Sequence, residues 1–106
     1  MPVIAAQDGL ITHINVFTVE PERQDALVQS LRETIEAAST MPGWVSASLH
    51  RSLDGRQVVN YVQFESAEAG LAVTRQLLAL GLIQRNLAIG TVSPGQYEVA
   101  FTLERH

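Results

Sequence analysis

The feature that most constrains this chain is a hairpin signal near its middle. Residues 58–66 read VVNYVQFES, and five of these nine residues are β-branched or aromatic, the types that favour a half-buried strand. Just before them, Asp54 and Gly55 are typical of a two-residue type I′ turn, which requires positive φ at both central positions. The turn predicts a register whose opposed pairs are Arg51 and Val58, Leu49 and Asn60, Ala47 and Val62, and Val45 and Phe64.

This register places one amide on an otherwise apolar stretch of a sheet face. Directly opposed residues point to the same side of a sheet, so Asn60 shares its face with Leu49, Val62 and Phe64. A buried amide without a partner costs about 1–3 kcal/mol. Asn60 is therefore predicted either to hydrogen-bond the backbone inside the core or to line a ligand pocket.

The opposite face of the predicted hairpin mixes aromatic, branched and polar side chains. Its residues are Ser46, Ser48, His50, Val59, Tyr61 and Gln63. This face is too apolar for open solvent and too polar for a dry core. We therefore expect a homodimer in which it packs against a second copy of the chain.

The segment before the hairpin predicts a strand followed by a helix. Residues 10–19 are rich in branched and aromatic types, and Pro21 suits the first position of a helix. Leu27, Leu31 and Ile35 then recur at helical spacing. This part of the chain is a predicted β-α unit.

A second α-β unit is predicted after the hairpin. Ser66 can cap a helix, and residues 82–89 predict a further short helix. Strict alternation over residues 96–104 predicts the last strand. The resulting order, β-α-β-β-α-β, is the ferredoxin-like α+β plan, an antiparallel sheet with helices on one face.

Composition excludes several classes of protein. The 106 residues suffice for one domain, 1–106, in which residues 1–9 are expected to form a loose leader. A net charge of −4 with only seven basic residues argues against nucleic-acid binding, and the lack of cysteine excludes disulfides and thiolate chemistry. The chain shows neither a signal peptide nor an apolar run of the ~20 residues that span a membrane, so a cytoplasmic protein that does not enter a membrane is expected.

The hairpin sequence also resembles a known family. Residues 42–50 (PGWVSASLH), Asp54-Gly55 and residues 58–66 are similar to the pattern PGF-S-A-x-x-H, DG and VVNYAQWES of the antibiotic biosynthesis monooxygenases, and most of all to their anthrone monooxygenases. The resemblance implies a dimeric α+β barrel that uses molecular oxygen as co-substrate and no cofactor. It also implies a planar aromatic polyketide substrate, of the anthrone or naphthol type.

The resemblance implies a pocket between the helices and the sheet. In that family the strand asparagine and the tryptophan four residues later line the pocket. Asn60 matches the asparagine, whereas Phe64 stands at the tryptophan position and Gly70 at that of a family tyrosine. Haem-degrading relatives use a helix histidine near where Thr74 stands here, so no haem is expected. His13 and His50 have no acidic partner at ligand spacing, so no metal is expected.

These arguments give a set of candidate residues. The predicted catalytic residues are Asn60, whose amide would donate to an enolate oxygen, and His50, which would move the proton. The predicted substrate-binding residues are Asn15, Phe17, Leu49, Phe64, Val73 and Arg85. For His50 and His13 a structural or interface role is the alternative, and for Arg85 a solvated one.

The expected function is a cofactor-independent monooxygenase that oxidises the polyketide to a quinone. Two alternatives remain open. One is a non-oxidative cyclase, isomerase or decarboxylase that uses the same pocket. The other is a non-catalytic dimer that binds a small molecule or assists another biosynthetic enzyme.

Overall fold

The computed structural model describes residues 9–105, so the predicted leader lies almost entirely outside the described residues. The elements in chain order are β1 (Ile11–Thr18), a 3-10 turn (Pro21–Arg23) leading into α1 (Gln24–Ala38), β2 (Trp44–Arg51), β3 (Gln57–Phe64), α2 (Ala67–Ala79), α3 (Leu82–Leu87) and β4 (Thr91–Tyr97).

The four strands form one antiparallel sheet in the order β2-β3-β1-β4, and the helices pack on one of its faces. On that face Leu27 and Leu31 of α1 pack against Phe17 and Val58. A second core cluster joins Val73 and Leu77 of α2 to Ala38, Val62 and Phe64. The predicted ferredoxin-like α+β fold is confirmed.

Local sequence accounts for where the helices begin. Pro21 occupies the first turn before α1, as expected for a residue with no backbone N–H to donate. The hydroxyl of Ser66 accepts a hydrogen bond from the backbone N–H of Ala69 at 3.0 Å and so caps α2. Gly81, at φ +78°, separates α2 from α3 in a conformation that residues with a side chain rarely adopt.

The register of the hairpin is confirmed over most of its length, but the predicted turn is wrong. Arg51 lies opposite Val58 and Leu49 opposite Asn60. Gly55 has φ +80°, whereas Asp54 does not have the positive φ that a type I′ turn requires. The Asp54 carboxylate instead accepts hydrogen bonds from the Ser52 hydroxyl and the Arg56 backbone, at 2.7 and 3.0 Å, which holds a wider loop and lowers the pKa of the carboxyl.

The predicted pairing of Val45 with Phe64 is also wrong. A β-bulge between Trp44 and Ser46 places Trp44, not Val45, opposite Phe64. The extra residue reverses which side chain faces the helices, and Val45 is 39% exposed as a result.

The last strand is displaced from its predicted position. β4 begins at Thr91, ends at Tyr97 and pairs with β1 along nearly its whole length. Residues 98–105 follow without regular structure, and Phe101 and Leu103 are 77% and 84% exposed. Alternation alone does not make a strand, because a strand also needs a neighbour, and β1 offers none beyond Tyr97.

Candidate functional site

A cavity of about 620 Å³ lies between the helices and the sheet, and every helix and strand named above contributes to its lining. This volume is in the range of small-molecule binding sites. The helices supply mostly apolar side chains, among them Leu31, Ile35, Leu77 and Ile83. We call this side the helix wall and the strand side the sheet floor.

The strand register arranges the polar groups of the sheet floor in rows. Asn15 of β1 lies directly opposite Asn60 of β3, so their Cβ atoms are roughly 5 Å apart. His13 lies one row away, opposite Val62. Phe64 and Trp44 form the next row. The sheet floor therefore presents two amides, an imidazole and an indole to the same cavity.

Three polar atoms on the sheet floor are fully buried and have no hydrogen-bond partner within residues 9–105. They are His13 Nε2, Trp44 Nε1 and Asn60 Oδ1. Leaving such a group unpaired costs about 1–3 kcal/mol. The Asn60 oxygen is thus not satisfied by the backbone, and all three atoms belong to residues that line the cavity.

His13 is suited to accept a proton. Burial lowers its pKa below the ordinary value of 6.5, so the imidazole is neutral near pH 7. The ring packs against Phe64, with centroids 4.7 Å apart. A Cβ atom at Gly70 would lie 3.0 Å from His13 Nε2. Glycine at this position of α2 therefore leaves the space that the imidazole occupies.

His50, the predicted proton-transfer residue, does not line the cavity. Successive strand residues point to opposite faces, so the register that turns Leu49 towards the helices turns His50 away from them. His50 Nε2 lies 3.0 Å from the Ser48 hydroxyl, and its ring meets the edge of Tyr61 at 5.3 Å. This placement does not support the proton transfer predicted for His50.

The other predicted residues divide into two groups. Those that line the cavity are Asn15, Phe17, Asn60, Phe64 and Val73. Leu49 instead packs against the core around Phe17 and Val58.

Arg85 does not line the cavity either. Its guanidinium donates to the hydroxyl and carbonyl oxygens of Ser30, at 3.0 and 3.1 Å, and lies 3.6 Å from the Glu33 carboxylate. Arg85 thus fastens α3 to α1 from the outside. The prediction that it binds substrate is not supported by this placement.

Several cavity residues are not among those predicted from the sequence, and Trp44 and Asn86 are two of them. The predicted register lacks the bulge that turns Trp44 towards the helices. Asn86 of α3 gave no signal, since a lone asparagine in a short helix is usually solvated. Its amide accepts from Ser30 at 2.5 Å and donates to Thr34 at 3.0 Å.

The described residues contain neither a cluster of metal ligands nor a membrane-spanning helix. No group of three or more histidine, cysteine, aspartate or glutamate side chains between residues 9 and 105 is placed to hold a metal ion. In the same part of the chain, no helix combines the length and the hydropathy needed to cross a membrane.

Comparison with known proteins gives a relative that is named a monooxygenase. The chain is 47% identical over 70 residues to the tetracenomycin-F1 monooxygenase of Streptomyces glaucescens, a match that covers 62% of this chain and 60% of that protein. The match therefore spans less than two thirds of the relative's length.

Solved structures share the fold. SnoaB, a cofactor-independent oxygenase from Streptomyces nogalater, superposes with a TM-score of 0.78 at 22% identity over 92% of this chain and 99% of its own. A conserved protein from Methanosarcina mazei Go1 gives 0.75 at 11% identity, over 84% of this chain and 91% of its own.

The sequence profile of one family covers both the hairpin and the residues that line the cavity floor. Residues 10–76, well over half of the chain, match the family described as antibiotic biosynthesis monooxygenase. The match includes β1, α1, the hairpin and most of α2, and with them His13, Trp44 and Asn60. The chain therefore belongs to the antibiotic biosynthesis monooxygenase family.

Proposed function

We propose that this protein is a cofactor-independent monooxygenase that converts a planar aromatic polyketide, of the anthrone or naphthol type, into a quinone. The observation that carries the proposal is the cavity, whose helix wall is apolar and whose sheet floor presents buried polar atoms without protein partners. The names of the Streptomyces relatives support an oxygenase of this kind.

The reaction asks the protein to do little beyond positioning and proton transfer. An anthrone loses a proton from its activated CH₂ group, and the resulting enolate passes electrons to dioxygen. Carbon–oxygen bond formation gives a hydroperoxide, which loses water to leave a carbonyl, so CH₂ and O₂ become C=O and H₂O. The substrate is the reductant and dioxygen is the oxidant, which is why no cofactor is required.

Asn60 and Asn15 are placed to stabilise the enolate oxygen. A carboxamide donor fixed in a cavity that excludes water stabilises a developing oxyanion more than the same donor does in water. The two amides lie side by side in the centre of the sheet floor. We assign the main contact to the amide N–H of Asn60, because this side chain is buried on the sheet floor and lines the cavity.

His13 takes the role first assigned to His50. It is neutral near pH 7 because burial lowers its pKa, and its Nε2 is unpaired within the described residues. It lies diagonally across β1 and β3 from Asn60, at a Cβ separation of roughly 7–8 Å. A substrate bound over Asn60 therefore brings its acidic carbon within reach of the imidazole.

The direct test is turnover of an anthrone under air. We expect the purified protein to accelerate quinone formation over spontaneous oxidation, with one O₂ consumed per product. Isotopically labelled dioxygen should deliver one atom to the quinone and one to water. Product formation in the absence of oxygen would favour a cyclase, isomerase or decarboxylase instead. Tight binding without any turnover would favour the non-catalytic dimer.

We also propose that the working unit is a homodimer formed through the helix-free face of the sheet. Ile14 lies opposite Tyr61, and Val16 opposite Val59, on this face. All four side chains are only half-buried, and none of the described helices packs on them. A second copy laid on this face would bury a continuous apolar band.

Replacing Tyr61 with aspartate should convert the dimer into monomer or unfold it, because a charge in the centre of an apolar interface has no partner. Sedimentation velocity on the wild type and on Tyr61→Asp measures this. As a matched control, Leu53→Asp places the same charge in the fully exposed hairpin loop and should leave the association state unchanged. A wild type that sediments as a stable monomer would contradict the dimer.

A further inference from the structure

We infer that the indole N–H of Trp44 is a second hydrogen-bond donor to the substrate, one that selects elongated ring systems with an oxygen atom at each end. The inference rests on the proposed function, since it assigns a binding role at the same site. It also supplies an indole donor where Phe64 has none.

The β-bulge is what brings Trp44 into the cavity. If the hairpin kept the register of its Arg51–Val58 end, Val45 would face Phe64 and Trp44 would point to the helix-free side. The observed bulge reverses these two orientations, so Trp44 lines the cavity and Val45 turns outward. A local irregularity in a strand often serves to re-aim one side chain near a site.

The indole nitrogen has an unmet requirement. It is only a donor, and a buried tryptophan usually finds an acceptor for its N–H. Trp44 Nε1 is fully buried and donates to no atom within residues 9–105. His13 Nε2 and Asn60 Oδ1 could both accept, yet each of them is also unpaired. A ligand oxygen in the cavity would satisfy Trp44 without any change in the protein.

The position of Trp44 determines which ligands can use it. Trp44 lies in the row of Phe64, and Asn60 is four residues from Phe64 along β3. At about 3.3 Å per residue, the two donor rows are roughly 13 Å apart along the strand. The His13 row lies between them. A ligand that contacts both donors must therefore be long and rigid, with oxygen atoms at opposite ends. A fused system of three or more rings that carries an oxygen substituent on a terminal ring meets this description better than a naphthol.

The aromatic pair is reversed relative to the family pattern described above. That pattern has phenylalanine at the position of Trp44 and tryptophan at the position of Phe64. The two residues are directly opposed across β2 and β3, so exchanging them moves the N–H by about the 5 Å that separates neighbouring strands. The exchange keeps one indole and one phenyl ring in the same row.

Three variants test this inference: Trp44→Phe, Phe64→Trp, and the double exchange Trp44→Phe with Phe64→Trp. The ligands are a quinone product with an oxygen at the far end of its ring system and an analogue that lacks only that oxygen. Their Kd is measured by calorimetry, which works whether or not the protein turns over. Loss of one hydrogen bond should weaken binding of the first ligand to Trp44→Phe by about three- to tenfold.

The analogue without the far oxygen should bind wild type and Trp44→Phe equally well. The double exchange should regain most of the lost affinity for the oxygenated ligand. Equal weakening for both ligands would overturn the inference, because it would show that Trp44 contributes ring packing and not its N–H. A double exchange that binds the oxygenated ligand no better than Trp44→Phe would contradict the inference that an indole at position 64 can replace the N–H of Trp44.

Stability and turnover measurements separate the possible failures. Trp44→Phe should melt at or above the wild-type temperature, since it removes a buried donor that the protein leaves unpaired; early melting would indicate a structural role instead. Selective loss of binding in a protein without oxygenase activity would sustain the role of Trp44 and refute the proposed function. Oxygenase activity in a protein whose Trp44→Phe variant weakens both ligands equally would support the proposed function and refute the role of Trp44.

Discussion

The two sides of the cavity treat their polar groups in opposite ways. On the helix wall, Asn86 is 3% exposed and its amide is bonded at both ends, to Ser30 and to Thr34. On the sheet floor, Asn60 is 8% exposed and its amide oxygen has no donor within the described residues. Both side chains are asparagines, and both are buried. The hydrogen bonds of Asn86 stabilise the fold, whereas burying the unpaired Asn60 oxygen destabilises it.

The same contrast extends to neighbouring groups. Thr34 and Thr74 also face the cavity from the helices, and each donates its hydroxyl to a backbone carbonyl one turn earlier. On the sheet floor, His13 Nε2 and Trp44 Nε1 are left unpaired. Polar groups with protein partners are structural here, and those without them are available to a ligand.

The largest expected effect comes from replacing each of the two asparagines with alanine, one at a time. Asn60→Ala should lower kcat by about 10²–10³-fold, the usual loss for one oxyanion donor, with little change in stability. Asn86→Ala removes the acceptor of the Ser30 hydroxyl and the amide donor to the Thr34 hydroxyl, and it should cost about 1–3 kcal/mol of unfolding free energy. Thermal melts and anthrone turnover, corrected for folded fraction, measure both. An Asn60→Ala protein that melts early but turns over normally would show that Asn60, like Asn86, is structural.

A somewhat smaller loss is expected for His13. His13→Gln keeps a polar side chain but cannot take up the proton, and kcat should fall roughly 10²-fold, near the lower end for general-base catalysis. His50→Gln is the matched control on the other face of the sheet and should leave kcat within about twofold of the wild-type value. Equal losses for both variants would remove His13 from the mechanism.

The pH dependence follows from the direction of the His13 shift. Burial lowers its pKa in the folded state below 6.5, so the neutral, active form persists at pH 6.5 and is lost only at more acidic pH. The acid limb of kcat/KM should therefore lie below pH 6.5. Stability should change in the same range: the unfolded chain binds the proton more readily, so the unfolding free energy declines as the pH falls through 6.5. The His13→Gln variant should lack both features.

The smallest effect is expected for Gly70→Ala. A Cβ there would lie 3.0 Å from His13 Nε2 and 3.2 Å from Phe64 Cδ2, so one of the two rings must move by a few tenths of an ångström. Alanine favours a helix by about 1 kcal/mol over glycine, which should offset the crowding in a thermal melt. We expect several-fold lower kcat with unchanged or slightly raised stability. Unchanged kcat would show that the imidazole position is not critical.

The sequence predicted the parts of this fold that local patterns determine. The Ser66 cap depends on a few adjacent residues and is confirmed. The alternation of faces along β2 is confirmed from Ser46 to Arg51 and fails at the bulge. The bulge at Trp44 and the position of β4 depend on tertiary pairing. β4 contains Pro94 and Gly95, which favour a loop in isolation, but an edge strand tolerates proline because one side of its backbone needs no partner.

The candidate site was predicted to a similar extent. Asn60 was predicted because an amide on an apolar strand face is unusual, and Asn15 because it matches a strand-one asparagine of haem-degrading relatives; both line the cavity. The predicted hairpin register placed His50 on the face opposite Asn60, but it could not place His13 beside Asn60. His13 pairs with Val62, 49 residues along the chain, and no local pattern specifies that pairing. Trp44 was missed because its orientation depends on the one extra residue of the β-bulge, which no local pattern predicts.

The division between helix wall and sheet floor has a consequence for how substrate range can change. Leu71, Leu77 and Ile83 shape the cavity from the helices and carry no reactive group. Enlarging or shrinking them alters which ring systems fit, while His13 and Asn60 stay fixed by the strand ladder. A family built in this way can diversify its substrates without rebuilding its chemistry, and a protein engineer can follow the same route.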